Sequence, residues 1–222
     1  LAALEPDAKV YNRLADQEGI LGALARFELA RQKGGEAATK AAVAVADHRH
    51  PVVVEHLLGR ARDDIDRLGG GAAYYEPVLI RIVRQVPAST RRLTWAHTAA
   101  AKAATLLADL GTRESLRSLR EFLRSDNNEV IRAALGGLVN TNNREAALQA
   151  RAQLNSPYAE QSVTAALALG RFGEPDAEKV LLDVLAHPAR HRPELVTLSA
   201  WYVLKIRKQA QGFAERQAKL AE

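Results

Sequence analysis

The chain has 222 residues, 47% of them hydrophobic, 26% charged and 5% aromatic, with no Cys and no Met. This composition excludes a disulfide framework, a thiolate zinc site and a cysteine nucleophile, and it leaves a core built mainly from Ala, Leu and Val, which suits closely spaced helices better than a β-sandwich. Lys plus Arg number 31 against 26 Asp plus Glu, split as 15 basic and 13 acidic up to Gly111 and 16 and 13 beyond it, so the net charge of +5 is spread thinly and favours an acidic partner only weakly.

Helical runs are expected at 18–32, 36–47, 51–68, 75–86 and 92–110, interrupted by short turns and by the Gly69-Gly70-Gly71 break. Beyond them Leu116, Leu119, Phe122 and Leu123 mark one helical face, with Arg117, Arg120 and Arg124 on the solvent side. The next helix carries Val130, Ile131, Ala134, Leu135 and Leu138 in the same rhythm, with Asp126 as the expected N-cap and Glu129 completing a capping box. Pro51, Pro157 and Pro175 are expected in first turns, where a missing N–H is harmless. Gly111 and Gly173 are expected to end helices, with Thr141 in the equivalent place between them. No run of about 18 apolar residues is present to span a bilayer. The absence of Met at Leu1 suggests a trimmed chain, from which a signal segment could already be missing.

A repeat underlies this series. Ala133-Ala134-Leu135 recurs as Ala165-Ala166-Leu167, 32 residues on, and Ala103-Ala104 stands 30 residues earlier. Leu123, Leu154 and Leu185 close the intervening helices at intervals of 31, followed by turns at Ser125-Asp126, Ser156-Pro157 and Pro188. Each unit is thus a pair of short helices that hides its apolar faces only by lying against a neighbouring pair. The expected fold is all-α, a right-handed α-solenoid of stacked helix hairpins forming one domain over 1–222. Divergent repeats occupy 1–95, the clearest ones 96–205, and a cap or tail 206–222. Tetratricopeptide and ankyrin patterns do not fit, and a plain four-helix bundle would make the 31-residue recurrence accidental.

The segment Ala-Ala-Leu-Ala-Leu-Gly-Arg-Phe-Gly-Glu-Pro-Asp-Ala at 165–177, followed by Val180, Leu181, Val184 and Leu185, resembles the HEAT-like repeats of the phycobilisome-lyase family. The resemblance covers about residues 96–205 and implies the α-solenoid. It also brings to mind other uses of HEAT-like repeats. Iron-dependent hydroxylases draw ligands from His-Glu dipeptides, and this chain has only the reversed Glu55-His56. Phycobilin lyases hold a tetrapyrrole and its acceptor protein, an activity far rarer than the repeat. Alkylpurine DNA glycosylases bind the duplex on a basic concave face, for which Trp95 and Trp201 would be stacking groups and Arg91, Arg92, His97, Lys102, Arg132, Arg171 and Lys205 phosphate contacts. No Trp-Asp constellation of that family can be matched. Trp201 lies three residues after Leu198 and three before Leu204, so it is expected to pack on an apolar face.

Chemistry-bearing clusters are few. Asp47, His48, His50, Glu55 and His56 flank Pro51 and include potential zinc or nickel ligands, but nothing fixes His48 and His50 toward His56, so a solvated turn is the preferred reading. His187 and His191 beside Pro188 read the same way. No Gly-x-Ser-x-Gly elbow, phosphate-binding loop or dinucleotide fingerprint occurs. The resulting expectation is a non-enzymatic scaffold, with no cofactor and no metal, that binds a protein or peptide, preferably acidic. Its binding face is assigned to Arg91, Arg92, Trp95, Asn128, Arg132, Asn140, Gln161, Thr164, Arg171 and Lys205. The alternative is a nucleic-acid binder of the glycosylase type. A cytoplasmic location is favoured over export.

Overall fold

The computed structural model describes residues 8–87 and 95–221, with side-chain surroundings described for 11–87 and 95–214. The protein is all-helical, with no strand among the described residues. The order is α1 (Ala8–Ala15), α2 (Ile20–Lys33), α3 (Gly35–Asp47), α4 (Pro51–Leu68), a 3-10 segment Gly69–Tyr75, α5 (Glu76–Arg84), α6 (Trp95–Leu110), α7 (Arg113–Phe122) and α8 (Asn128–Asn140). There follow α9 (Arg144–Ala147), which tightens into a 3-10 turn over Leu148–Gln153, α10 (Ala159–Gly170), α11 (Glu178–Ala186) and α12 (Pro193–Ala221). None of the helices among the described residues is long and apolar enough to cross a membrane.

The expected runs match these helices to within a few residues, and the differences have local causes. The run starting at 75 begins with 3-10 geometry because three consecutive glycines precede it, leaving Pro77 in the first turn of α5. The cap of α8 is corrected: Asn127, not Asp126, is the N-cap, and its side-chain oxygen accepts from the Glu129 N–H at 3.0 Å. Asn143 and Thr112 do the same for α9 and α7. Pro157 lies two residues ahead of α10 rather than in its first turn, whereas Pro51 opens α4 as expected. Gly111 adopts φ 60° after α6, the left-handed conformation that favours glycine. Thr141 ends α8 differently, in extended backbone, with its hydroxyl spent on a neighbouring helix. Beyond residue 206, α12 continues as helix to Ala221.

The helices pack in two series. α4, α6, α8, α10 and α12 each rest on the next member of that series, while α3 touches α5 and α5 touches α7 in a second series behind it. The main apolar core includes residues from Ala23 to Ile206, and Val86, Ala100 and Ala133 form a small separate cluster. Small residues let the front helices approach closely: Ala99, Ala103 and Ala104 of α6 are buried, and Gly137 of α8 lies directly over Ala104. Leu107, Leu119, Leu135, Leu138, Leu169 and Leu181 fill the space between the two series and are fully buried. Truncating any of these leucines to Ala would cost about 2–5 kcal/mol, the usual range for a cavity in a packed core.

Candidate binding surface

The shared face of α4, α6, α8, α10 and α12 carries most of the residues assigned to binding from the sequence. Arg91 and Arg92 lie outside the described residues. Trp95 opens α6 and is 43% exposed, at the mouth of an apolar recess of about 370 Å³ between Val54, Ile82 and Ala99, with Arg49 and Gln85 also lining it. The others are brought onto neighbouring helices, but largely as links between them. Arg132 reaches Glu129 on its own helix at 3.2 Å and Glu160 of α10 at 2.8 Å. Gln161 is buried and donates to the Asn128 side chain at 3.3 Å. Lys102 of α6 meets Glu55 of α4 at 2.6 Å, and His97 of α6 lies 3.5 Å from Glu129 of α8. Asn140 and Thr164 bond back to carbonyls one turn earlier in their own helices, Gly136 and Glu160.

A second set of links runs along the C-terminal ends of the same helices. Arg62 of α4 donates to Asp109 of α6 at 2.6 Å. Asp109 also accepts from the Thr141 hydroxyl at 2.7 Å and from the Asn142 N–H at 3.1 Å, just past α8. Arg171, at the end of α10, donates to the Val139 and Thr141 carbonyls at 2.9 and 2.8 Å and to the Asn142 side chain at 2.8 Å. Lys205 of α12 then donates to the Arg171 carbonyl at 2.5 Å. Cations thus satisfy the carbonyls that a helix C-terminus leaves free, where they also meet the negative end of the helix dipole. Arg171 and Lys205 therefore act as clamps between helices. Arg171→Met is expected to lower stability by about 1–2 kcal/mol, and hydrogen exchange should be faster in the last turn of α8 while α7 keeps its protection.

Two aromatic residues of these helices stand otherwise than the sequence reading had them. Tyr158, the N-cap residue of α10, is 54% exposed on the same N-terminal edge as Trp95. α8 packs against both α6 and α10, so the two residues open helices on either side of it. Trp201 is a correction: it is 67% exposed, not packed on the apolar face, because Ser199, Val203 and Ile206 are the positions of α12 turned into the core. The three-residue spacing to Leu198 and Leu204 was real, but both leucines are exposed as well.

The densest polar cluster lies elsewhere, where α2, α4 and the 3-10 segment Gly69–Tyr75 meet. Glu28, only 3% exposed, accepts from Arg31 at 3.0 Å and from Arg60 at 2.8 Å, and its other close partner is His56 Nε2 at 2.9 Å. Asp64, 1% exposed, accepts from Arg31 at 2.9 Å, Arg67 at 2.8 Å, Tyr74 at 2.6 Å and Tyr75 at 2.9 Å. Burial pushes both carboxyls up, but the bonds from His56, Arg31 and Arg60 prevail at Glu28 and hold it down at about 2, and those from Tyr74, Arg31 and Tyr75 hold Asp64 below its ordinary value. Burial and the neighbouring carboxylate push Tyr74 up to about 12. Each carboxylate here accepts from cationic or hydroxyl donors, as a structural network requires. Arg31 and Arg67 stand three residues from their carboxylates along one helix, a spacing readable in the sequence, but the links from Glu28 to α4 and from Asp64 to α2 span about thirty residues and are not.

This network also accounts for the histidine cluster. His56 is committed to Glu28, while His48 and His50 are exposed in the turn before α4. Among the described residues no group of three metal-ligating side chains converges. Compared with protein-family models, with curated proteins and with solved structures, the chain finds no match in any of the three.

Proposed function

We propose that the chain is a HEAT-like α-solenoid that serves as a non-enzymatic binding module, receiving a protein or peptide on the face shared by α4, α6, α8, α10 and α12. The observation that carries this reading is the continuity of that face: each helix of the series rests on the next, and polar links join them at both ends. Such a surface is held in shape before any partner arrives, which lowers the ordering cost of binding. Trp95 and Tyr158 are its anchors, being exposed aromatics of the kind that dominate interface energetics. Arg132, Lys102 and Arg62 are each paired with a carboxylate, which reduces the charge they offer a phosphate backbone and weighs against the duplex-binding alternative.

Selection of a library of acidic peptides on the immobilised chain tests this. Peptides enriched on the unmodified chain should bind at least about tenfold more weakly to Trp95→Ala/Tyr158→Ala, and equally well to Arg117→Glu, which alters α7 in the rear series. No enrichment, or full retention by the double variant, refutes the assignment. Salt-sensitive binding of duplex DNA lost in Lys102→Glu/Arg132→Glu would transfer it to nucleic acid.

A further inference from the structure

The outward side of α12 has a symmetry of its own. Leu198, Trp201 and Leu204 are 40%, 67% and 66% exposed, while Ser199, Val203 and Ile206 on the opposite side are buried. On a helix, positions seven apart fall nearly in line, so Glu194, Trp201 and Lys208 share one stripe, with the two leucines flanking its centre. Both Glu194 and Lys208 are exposed, and neither has an ion-pair partner among the described residues. Two other cations of α12 are already engaged, Arg207 with Glu178 at 2.7 Å and Lys205 with the Arg171 carbonyl.

We infer that this stripe is an interface for a second copy of the chain, with the two α12 helices antiparallel about a two-fold axis at Trp201. In that arrangement a residue n positions before 201 faces the residue n positions after it. Trp201 meets its counterpart, Leu198 meets Leu204, and Glu194 meets Lys208, so every large apolar side chain finds an apolar one and both unpaired charges find an opposite. A parallel pairing would set Lys208 against Lys208 and Glu194 against Glu194, which like-charge repulsion disfavours. The same stripe suits no purely acidic or purely basic partner as well, since it presents one charge of each sign at its two ends.

The exposed parts of the three apolar side chains amount to roughly 350 Å² per copy, taking about 200 Å² for a large side chain. With the polar flanks, this places the interface at the small end of specific contacts, so a weak dimer that depends on concentration is expected. This inference does not rest on the peptide-binding anchors, because Leu198, Trp201 and Leu204 belong to α12 while Trp95 and Tyr158 open α6 and α10.

Sedimentation velocity on the full chain from about 1 to about 300 µM reads the outcome, covering the range expected of so small an interface. The unmodified chain is expected to pass from monomer to dimer, and Trp201→Ser to weaken association about 30-fold or more. Glu194→Lys and Lys208→Glu should each weaken it about fivefold, and the two together should restore it to within about twofold. All three substituted positions are exposed, so circular dichroism should be unchanged. A monomer throughout the range, a dimer indifferent to Trp201→Ser, or a double charge reversal that fails to rescue would each overturn the inference. Binding of anionic lipid vesicles by a strictly monomeric chain, lost in Trp201→Ser, would assign the stripe to a membrane surface instead.

Discussion

Glu28→Gln is expected to lower stability at neutral pH by about 3 kcal/mol and to remove most of the acid sensitivity of the fold. The cost follows from what surrounds the carboxylate: Arg31 and Arg60 both donate to it inside a nearly closed site, and removing one member of a buried ion pair leaves the others charged and unpaired. The pH dependence has a definite sign. Glu28 is held at about 2 against an ordinary 4.5, so its contribution is complete above 4.5, declines as pH falls toward 2 and is absent below that. The displacement corresponds to about 3 kcal/mol, at 1.36 kcal/mol per unit. Asp64, also depressed, adds a loss in the same direction. Urea titrations at pH 7, 5, 4 and 3 measure this directly. An unmodified chain whose unfolding free energy is flat across that series would show that the network does not hold Glu28 ionised. A Glu28→Gln variant with an undiminished slope would move the acid sensitivity elsewhere.

Gly137→Ala is expected to destabilise the chain by about 2 kcal/mol although Ala is the better helix former. A methyl group at 137 would stand 2.6 Å from the backbone carbonyl carbon and Cβ of Ala104 and 2.7 Å from the Thr105 nitrogen, all on α6. The obstacle is backbone, so α6 and α8 must separate, and overpacking of this kind typically costs about 1–3 kcal/mol even before side chains adjust. The gain in helix propensity, about 1 kcal/mol, offsets only part of it. Gly136 is the built-in control. A methyl there would meet only the Ala101 Cβ at 3.7 Å, an ordinary contact, so Gly136→Ala should stabilise the chain by about 0.5–1 kcal/mol. Thermal unfolding of the two variants side by side decides it; equal midpoints would mean that α6 and α8 are not in the close register described.

The difference between these neighbouring glycines illustrates where sequence reading stops. Both stand in the same helical run and neither has a positive φ. Their roles diverge because α6, contributed some thirty residues earlier, presses its backbone against Gly137 and offers Gly136 only an ordinary side-chain contact. Similarly, the spacing of Leu198, Trp201 and Leu204 pointed to a helical face, and the helix is there. Whether that face turned inward depended on α10 and α11, which take the side marked by Ser199, Val203 and Ile206. Arg132, Arg171 and Lys205 stood out as cations on a common surface, yet their bonds to Glu160, to the end of α8 and to the end of α10 show them also holding that surface together.

What the sequence determined by itself was local or periodic. Apolar residues at helical spacing, proline and glycine at the ends and an interval of about 31 residues between equivalent leucines suffice to locate the helices and their all-α class, because each of these acts within one or two turns of chain. The tertiary structure alone decided which polar groups are paired and which apolar ones are left in solvent. Glu28 and Asp64 are buried carboxylates only because α2, α4 and the tyrosine pair converge on them, and Trp201 is exposed only because the core lies on the other side of its helix. Burial and pairing depend on neighbours distant along the chain, and no pattern within a single helix specifies them.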